Sequence, residues 1–263
     1  DRDGNIWTWG SDLANQLGRD EPHNSKQPGP AVTHAGVTFI AVSAGAEHSM
    51  AIDRDGNIWT WGYDGHRQVG SSGSGSTPKG VGVPKAAFAS ISAGSRHSIG
   101  LDTNGTAWTW GGLSDGTTDD DLTGHADFRP APVDTGLRFT AVSAGEDHSM
   151  GIARDGTVYT WGHNGSGQLG RTPTVAEPAG RPGAVPGPSH ATGVSAGRTH
   201  STALTDSGIW TWGGNQYGQL GTTTGNGTND GVAPARVPNP KGAPSGFAYT
   251  GAAAGGDRTL AVG

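Results

Sequence analysis

The chain has 263 residues, of which 48 are glycine, while only 32% are hydrophobic and 15% are charged. Glycine so far above its usual fraction of about 7%, together with nine tryptophans, predicts many short strands joined by tight turns and disfavours a helical or large-cored enzyme. The formal charge of -6 gives no global attraction for nucleic acid or an anionic membrane, and the absence of cysteine excludes thiol nucleophiles, thiolate metal sites and disulfides.

The first predicted element is a strand that ends in Trp-Gly, and the same pattern returns along the chain. The tryptophan before the glycine recurs every 49 to 52 residues, at Trp9, Trp61, Trp110, Trp161 and Trp212.

No run of the sequence approaches the roughly 18 apolar residues that span a bilayer, so we expect no membrane insertion. The start at Asp1 indicates either a removed leader or an excised segment.

A second motif, Ser-Ala-Gly-x-x-His-Ser, stands ahead of four of these strands. It carries His48, His97, His148 and His200, and a degenerate copy with Arg258 ends the chain. Between the two motifs lies an Asp-Gly, Asn-Gly or Ser-Gly step of the kind that turns a β-hairpin. After Trp-Gly comes a Gln-Leu-Gly stretch and then proline-rich sequence, which predicts an outer edge strand.

These motifs resemble the repeats of the regulator-of-chromosome-condensation (RCC1-like) family. The resemblance covers essentially the whole chain and implies a β-propeller, in which each repeat of about 50 residues forms one four-stranded blade. Members of that family are typically seven-bladed, whereas this chain has five repeats. The resemblance implies little about the partner.

We therefore expect an all-β, single-domain propeller of five four-stranded blades, with the last blade shared by strands from both ends of the chain. The blades are placed at residues 38–84, 88–133, 138–186, 190–238, and 248–263 combined with 1–34. Gly45 and Trp61 are 16 residues apart, and the two ends together place Gly255 and Trp9 17 apart, which favours a ring closed by its termini. A truncated ring or subunits that complete one another are the alternatives.

The repeated histidines invite a catalytic or metal-binding interpretation, which strand geometry disfavours. Asp147, His148 and Ser149 are consecutive, and neighbours on a strand point to opposite faces, so they cannot form one proton-transfer line. Copies in four blades cannot converge on one ion. We expect these histidines to be structural hydrogen-bonding groups, and we expect no catalytic site, metal or cofactor.

Eight of the tryptophans come as Trp-Thr-Trp pairs, so both members of a pair lie on one face of a strand. We expect them to pack against the neighbouring blade, with a sugar-stacking platform or a chromophore array as alternatives. The Asp-x-Asp-Gly steps lack the remaining ligands of a helix-loop-helix calcium site and are predicted to be turns. The acidic stretch that begins at Asp115 is predicted to be a solvated loop, with a weak cation site as the alternative.

The repeats differ from one another in the loops that follow Ser-Ala-Gly and Trp-Gly, and a fixed framework with variable loops is how such scaffolds bind partners. The candidate binding residues are Glu47, Tyr63, His66, Arg67, Arg96, Asp115, Glu146, Asp147, His163, Arg198 and Tyr217. An ordinary solvated rim is the alternative for each of them.

The sequence favours a non-catalytic protein-binding scaffold over an enzyme. Four lysines against thirteen arginines suggest a bacterial source, and we expect an extracellular or cell-surface location. Nucleotide exchange on a small GTPase, implied by the family resemblance, and glycan binding are the alternatives. We expect no nucleic-acid partner.

Overall fold

The computed structural model describes residues 1–20, 24–32, 34–71, 75–83, 86–112, 129–133, 135–175, 178–222 and 232–263. Every regular element among them is a β-strand. The strands fall into two compact units, which are described separately.

The N-terminal unit contains three antiparallel sheets. Its strands are β1 (Trp7–Gly10) and β2 (Ser25–Pro30) in the first sheet, β3 (Phe39–Ala44), β4 (His48–Asp53), β5 (Ile58–Gly62) and β6 (Gly75–Val81) in the second, and β7 (Phe88–Ala93), β8 (His97–Asp102), β9 (Ala107–Gly111) and β10 (Ala131–Pro132) in the third. In each sheet, strands adjacent in sequence are hydrogen-bonded neighbours, as expected for propeller blades.

The C-terminal unit also contains three antiparallel sheets, but its two-stranded sheet comes last in the sequence. Its strands are β11 (Phe139–Ala144), β12 (His148–Ala153), β13 (Val158–Gly162) and β14 (Gly183–Ala184), then β15 (Ala191–Ala196), β16 (His200–Thr205), β17 (Gly208–Gly213) and β18 (Val232–Arg236), and finally β19 (Gly251–Ala254) and β20 (Thr259–Val262). The all-β propeller fold expected from the repeats is confirmed by these four-stranded meanders.

The fifth blade was expected from strands at both ends of the chain. The structure has β1 with β2 and β19 with β20 as two separate two-stranded sheets. In the N-terminal unit Ile40 and Val42 are exposed and line a groove of about 300 Å³ together with Trp7 of β1. Closure of a ring by these two pairs, and the single-domain organisation, stay predictions.

The cores lie between successive sheets, because a blade cannot bury both of its faces alone. In the N-terminal unit Met50, Ile52 and Ile58 pack against Phe88 and Trp110 of the next sheet. The central strands are therefore buried on both faces instead of alternating, as the five residues of β5 illustrate. This packing fixes the sheet ends from which the loops project.

An aspartate closes the hairpin turn between β4 and β5. Asp53 Oδ1 accepts the backbone N–H groups of Asp55 and Asn57 at 3.0 and 2.9 Å, and Gly56 takes a φ of 81°. Burial pushes the pKa of Asp53 upward, but hydrogen bonds from Trp59, Asn57 and Asp55 outweigh it and hold the pKa below its usual value. The first tryptophan of the pair, Trp59, donates its indole N–H to Asp53 Oδ2 at 2.9 Å.

Candidate binding surface

Each repeat histidine is buried, and His48 ties its sheet to the next one. His48 Nε2 lies 2.8 Å from the Ser98 hydroxyl, and that hydroxyl donates to the Gln68 carbonyl at 2.8 Å. Because a serine hydroxyl has a single proton, Ser98 accepts the bond from His48, so His48 carries its proton on Nε2. Strand β4, strand β8 and the turn after β5 are thereby fastened together.

The C-terminal unit has the same arrangement. His148 Nε2 lies 2.8 Å from Ser201 Oγ, which donates to the Gln168 carbonyl at 2.8 Å. His200 Nε2 makes the equivalent contact with the Thr259 hydroxyl at 3.0 Å. In these three contacts, the hydroxyl residue that follows a repeat histidine, or Arg258 in its place, bonds to the histidine of the preceding sheet.

This geometry differs from that of a nucleophilic serine and its base, in which the serine O–H donates to the imidazole. Ser98 is fully buried and donates to a backbone carbonyl instead. Burial lowers the pKa of His48 to about 3, with His97 nearby adding to the effect, and lowers that of His200 to about 4 against an opposing contribution from Asp257. Both imidazoles are therefore neutral at neutral pH.

The tryptophan that precedes the repeat glycine packs against the preceding sheet at Trp61 and Trp212. Trp61 donates its indole N–H to the Gln16 carbonyl at 2.9 Å, and Trp212 donates to the Gln168 carbonyl at 2.9 Å. The buried members of this set are Trp61, Trp110, Trp161 and Trp212. Burial makes these four side chains unavailable for stacking on a sugar.

Trp9 departs from the burial expected for it, since 59% of its surface is exposed. Trp61, Trp110 and Trp212 pack on the sheet that precedes them within their own unit. Within the described part of the N-terminal unit, no sheet precedes β1 and β2, so Trp9 has no such surface there. Core packing of Trp9 depends on closure of the ring and stays a prediction.

The turn after Trp-Gly is built by two side chains that cap its backbone. In the second repeat Asp64 Oδ1 accepts the Val69 N–H at 2.9 Å, and the buried Gln68 accepts the His66 N–H at 2.9 Å. Burial raises the pKa of Asp64, against the opposing effects of the Val69 N–H and Arg67. The turn therefore holds a fixed shape while its tip faces solvent.

Five of the candidate residues lie at one end of the second and third sheets, here named the N-terminal loop end: Glu47, Tyr63, His66, Arg67 and Arg96. The Tyr63 N–H donates to the Glu47 carbonyl at 2.8 Å. The Gly112 N–H donates to the carbonyls of His66 and Arg96 at 2.7 and 3.0 Å. Glu47, Tyr63, His66 and Arg67 are exposed, and Arg96 is half-buried.

The corresponding C-terminal loop end carries Glu146, Asp147, His163, Arg198 and Tyr217. Arg198 joins three sheets, because its Nε lies 3.2 Å from Glu146 Oε2 and its Nη1 lies 3.1 Å from Asp257 Oδ2. The His163 N–H of the backbone donates to the Asp147 carbonyl at 2.8 Å. Tyr217 is 67% exposed at the tip of its turn.

Asp257 is a member of this cluster that the candidate set did not include, although its loop position matches that of Glu47 and Arg96. Asp115 lies outside the described residues. Within the described ranges, no group of three or more histidine or carboxylate side chains is arranged to hold a metal ion. In the same part of the chain, no helix is long and apolar enough to cross a membrane.

Comparison with known proteins agrees with the repeat pattern. The ultraviolet-B receptor UVR8 of Arabidopsis thaliana is 28% identical over 228 residues, which cover 83% of this chain and 51% of the receptor. The crystal structure of Prp20p from Saccharomyces cerevisiae is similar with a TM-score of 0.83 at 23% identity, covering 98% of this chain and 64% of that one. The crystal structure of human WBSCR16 is similar with a TM-score of 0.80 at 21% identity, and the match covers 100% of this chain and 68% of that one.

The chain thus spans about half the length of UVR8 and less than two thirds of the Prp20p chain. The family model described as the RCC1-like domain matches residues 1–263. Sequence repeats, four-stranded sheets and this match agree, and the chain belongs to the RCC1-like domain family.

Proposed function

We propose that the chain is a non-catalytic protein-binding scaffold that contacts its partner through the loop ends of its sheets. The observation that carries the proposal is the contrast between the buried framework and the exposed tips. His48, Ser98 and Gln68 fasten the sheets together, whereas Tyr63 and Arg67 project from the same turns into solvent. Tyrosine and arginine are the residue types that dominate binding energy at protein interfaces.

The loops that vary between repeats are also held by backbone hydrogen bonds. The Ala46 N–H donates to the Gly94 carbonyl at 3.3 Å, and the Arg198 N–H donates to the Gly256 carbonyl at 3.1 Å. Loops fixed in this way lose little conformational freedom on binding, which favours affinity. Side chains can therefore differ between repeats without loss of the loop shape.

Solved relatives support a protein partner. The Prp20p structure is described together with its binding properties to Gsp1p and histones, and yeast RCC1 has been solved with Kap60 bound. Both facts concern those proteins. We carry over to this chain only the proposal that its partner is a protein.

Source and location are part of the proposal. The excess of arginine over lysine favours a bacterial source, and we propose an extracellular or cell-surface location. Fractionation of the producing cells with an antibody against the chain tests the location. Recovery in the cytosolic fraction alone would overturn it.

A second candidate is nucleotide exchange on a small GTPase, which membership of the RCC1-like domain family suggests. Release of a fluorescent guanine nucleotide from candidate GTPases, with and without the chain, decides this candidate. Accelerated release supports it, and unchanged release over the panel removes it.

The scaffold proposal is tested by capture from the native surroundings of the protein. The purified chain is immobilised and exposed to extract and culture medium of the producing organism, and bound proteins are identified by mass spectrometry. We expect a protein that binds in stoichiometric amount and is eluted by free chain. Recovery of no such protein contradicts the proposal.

A further inference from the structure

The position of Arg67 within its turn is unusual for a residue with a side chain. Its φ is 63°, in the left-handed region that favours glycine, and the equivalent residues in the C-terminal unit are Gly167 and Gly218, with φ of 74° and 77°. A side chain in this region costs free energy relative to glycine. The second repeat therefore places a long cation where the backbone favours glycine.

Backbone hydrogen bonds on both sides of Arg67 hold its turn. The Arg67 N–H donates to the Asp64 carbonyl at 3.0 Å, and the Gly70 N–H donates to the Arg67 carbonyl at 3.2 Å. The neighbouring His66 is tied through its carbonyl to Gly112 at 2.7 Å. A strained residue held by its surroundings is a feature of functional sites.

Apolar surface adjoins this cation. Tyr63 is 40% exposed and meets His66 edge to face, with ring centroids 6.0 Å apart. On the neighbouring turn, which contacts β4 through the hydrogen bond from the Ser49 hydroxyl to the Gln16 carbonyl, Leu13 is 89% exposed. The turn that carries Arg67 therefore also presents the exposed ring of Tyr63.

Two acids belong to the same region and shape the charge it presents. Asp64 is half-buried, its Oδ1 accepts the Val69 N–H, and Arg67 lies within electrostatic reach of it. Glu47 is exposed. The tip itself is formed by His66 and Arg67, and a guanidinium binds a carboxylate through two parallel hydrogen bonds.

We propose that Tyr63, His66 and Arg67 form a binding site for an acidic segment of a partner protein, in which Arg67 binds an Asp or Glu carboxylate and Tyr63 contacts an adjacent apolar side chain. The site rests on the proposed protein-binding function and specifies its partner class. Asn15 provides a matched reference, because it occupies the same turn position with a φ of 62°.

The test uses a random peptide library displayed on phage and selected on the immobilised chain. Selected peptides are then titrated by fluorescence anisotropy against the wild type and the variants Arg67→Gly, Asn15→Gly, Tyr63→Ala and Tyr217→Ala. We expect peptides with Asp or Glu beside an apolar residue, and binding weakened about tenfold by Arg67→Gly and by Tyr63→Ala. Asn15→Gly changes the backbone in the same way without removing a cation, so we expect it to leave affinity unchanged.

Thermal unfolding separates loss of the site from loss of the fold. Since glycine suits the left-handed turn, Arg67→Gly keeps or raises the unfolding midpoint while it weakens binding. Affinity unaffected by Arg67→Gly overturns the site. If Tyr217→Ala abolishes peptide binding while Arg67→Gly does not, the chain still binds protein segments but the location proposed for the site is refuted. Failure to select any peptide counts against both the site and the protein-binding function. Arg67-dependent binding of a duplex oligonucleotide in place of acidic peptides also overturns it.

Discussion

The Ser98 side chain links two sheets of the N-terminal unit through two hydrogen bonds. It accepts from His48 and donates to the Gln68 carbonyl, and it is fully buried. Ser98→Ala leaves the His48 N–H without its acceptor in the core. We expect a loss of about 1 to 3 kcal/mol in the free energy of unfolding, measured by urea denaturation.

Thr103→Ala is the matched control, because Thr103 is exposed in a hairpin turn. We expect the control to change stability by less than about 0.5 kcal/mol. Equal stability of the two variants would show that the histidine-to-serine contact is unimportant to the sheets.

At the same scale, the sequence led to the expectation of a hydrogen-bonding role for the repeat histidines but did not indicate their partners. Strand alternation correctly separates His148 from Ser149, yet it says nothing of residues about 50 positions away. The recurrence of a hydroxyl after every repeat histidine, kept as Thr259 beside Arg258, is the signal that points to an inter-sheet contact. Side-chain partners across sheets need the packing of the blades, which periodicity alone does not supply.

The turn after Trp-Gly packs against the buried tryptophan of the next sheet and carries exposed side chains at its tip. Gly170 has a φ of 63°, and an added Cβ there would lie 2.7 Å from Trp212 Cδ1. Gly218 has a φ of 77° in the same turn type, with nothing within 4 Å of an added Cβ. Both glycines allow the backbone conformation, but only Gly170 is required for close packing.

Gly170→Ala is therefore expected to destabilise the protein more than Gly218→Ala. The backbone cost is shared, and the clash with Trp212 adds about 1 to 3 kcal/mol. Urea denaturation of both variants gives the difference directly. If the two variants lose the same stability, the glycine serves only the turn and not the sheet contact.

Element boundaries followed from the repeat because each strand has its own marker, such as His-Ser at the start of β4 and Trp-Gly at the end of β5. Proline marked the edge strands β2, β6, β10 and β18. Closure of the ring could not be established from the sequence, because matching segment lengths at the two chain ends do not prove that their strands pair. The strain at Arg67 was also invisible, since it depends on a backbone angle.

For the whole molecule, the buried histidines predict instability in acid. Their folded pKa values of about 3 for His48 and about 4 for His200 lie below the usual value of 6.5. At pH values between the folded pKa of each histidine and its ordinary pKa, the unfolded chain binds more protons than the folded one. The free energy of unfolding therefore falls as pH is lowered below about 6.5. Each such histidine contributes a slope of about 1.4 kcal/mol per pH unit.

Denaturation in urea at pH 7.5 and at pH 5 measures this slope. The lowered pKa of Asp53 adds a loss of stability only below its ordinary value of 3.8, outside this pH range, because the carboxylate is ionised in both states above it. His200→Gln keeps a donor for Thr259 and removes one titrating group, so we expect a shallower slope. A slope unchanged by this variant would contradict the assignment.

Protein binding at the loop ends is tested most directly by the affinity of the captured partner for two double variants. Tyr63→Ala with Tyr217→Ala alters one loop end in each unit, whereas Arg54→Ala with Arg154→Ala alters exposed hairpin turns at the opposite ends of the sheets. We predict that the first pair weakens binding at least about tenfold and that the second leaves it unchanged. Weakened binding of the hairpin variant alone, with the tyrosine variant at wild-type affinity, would contradict the proposed surface.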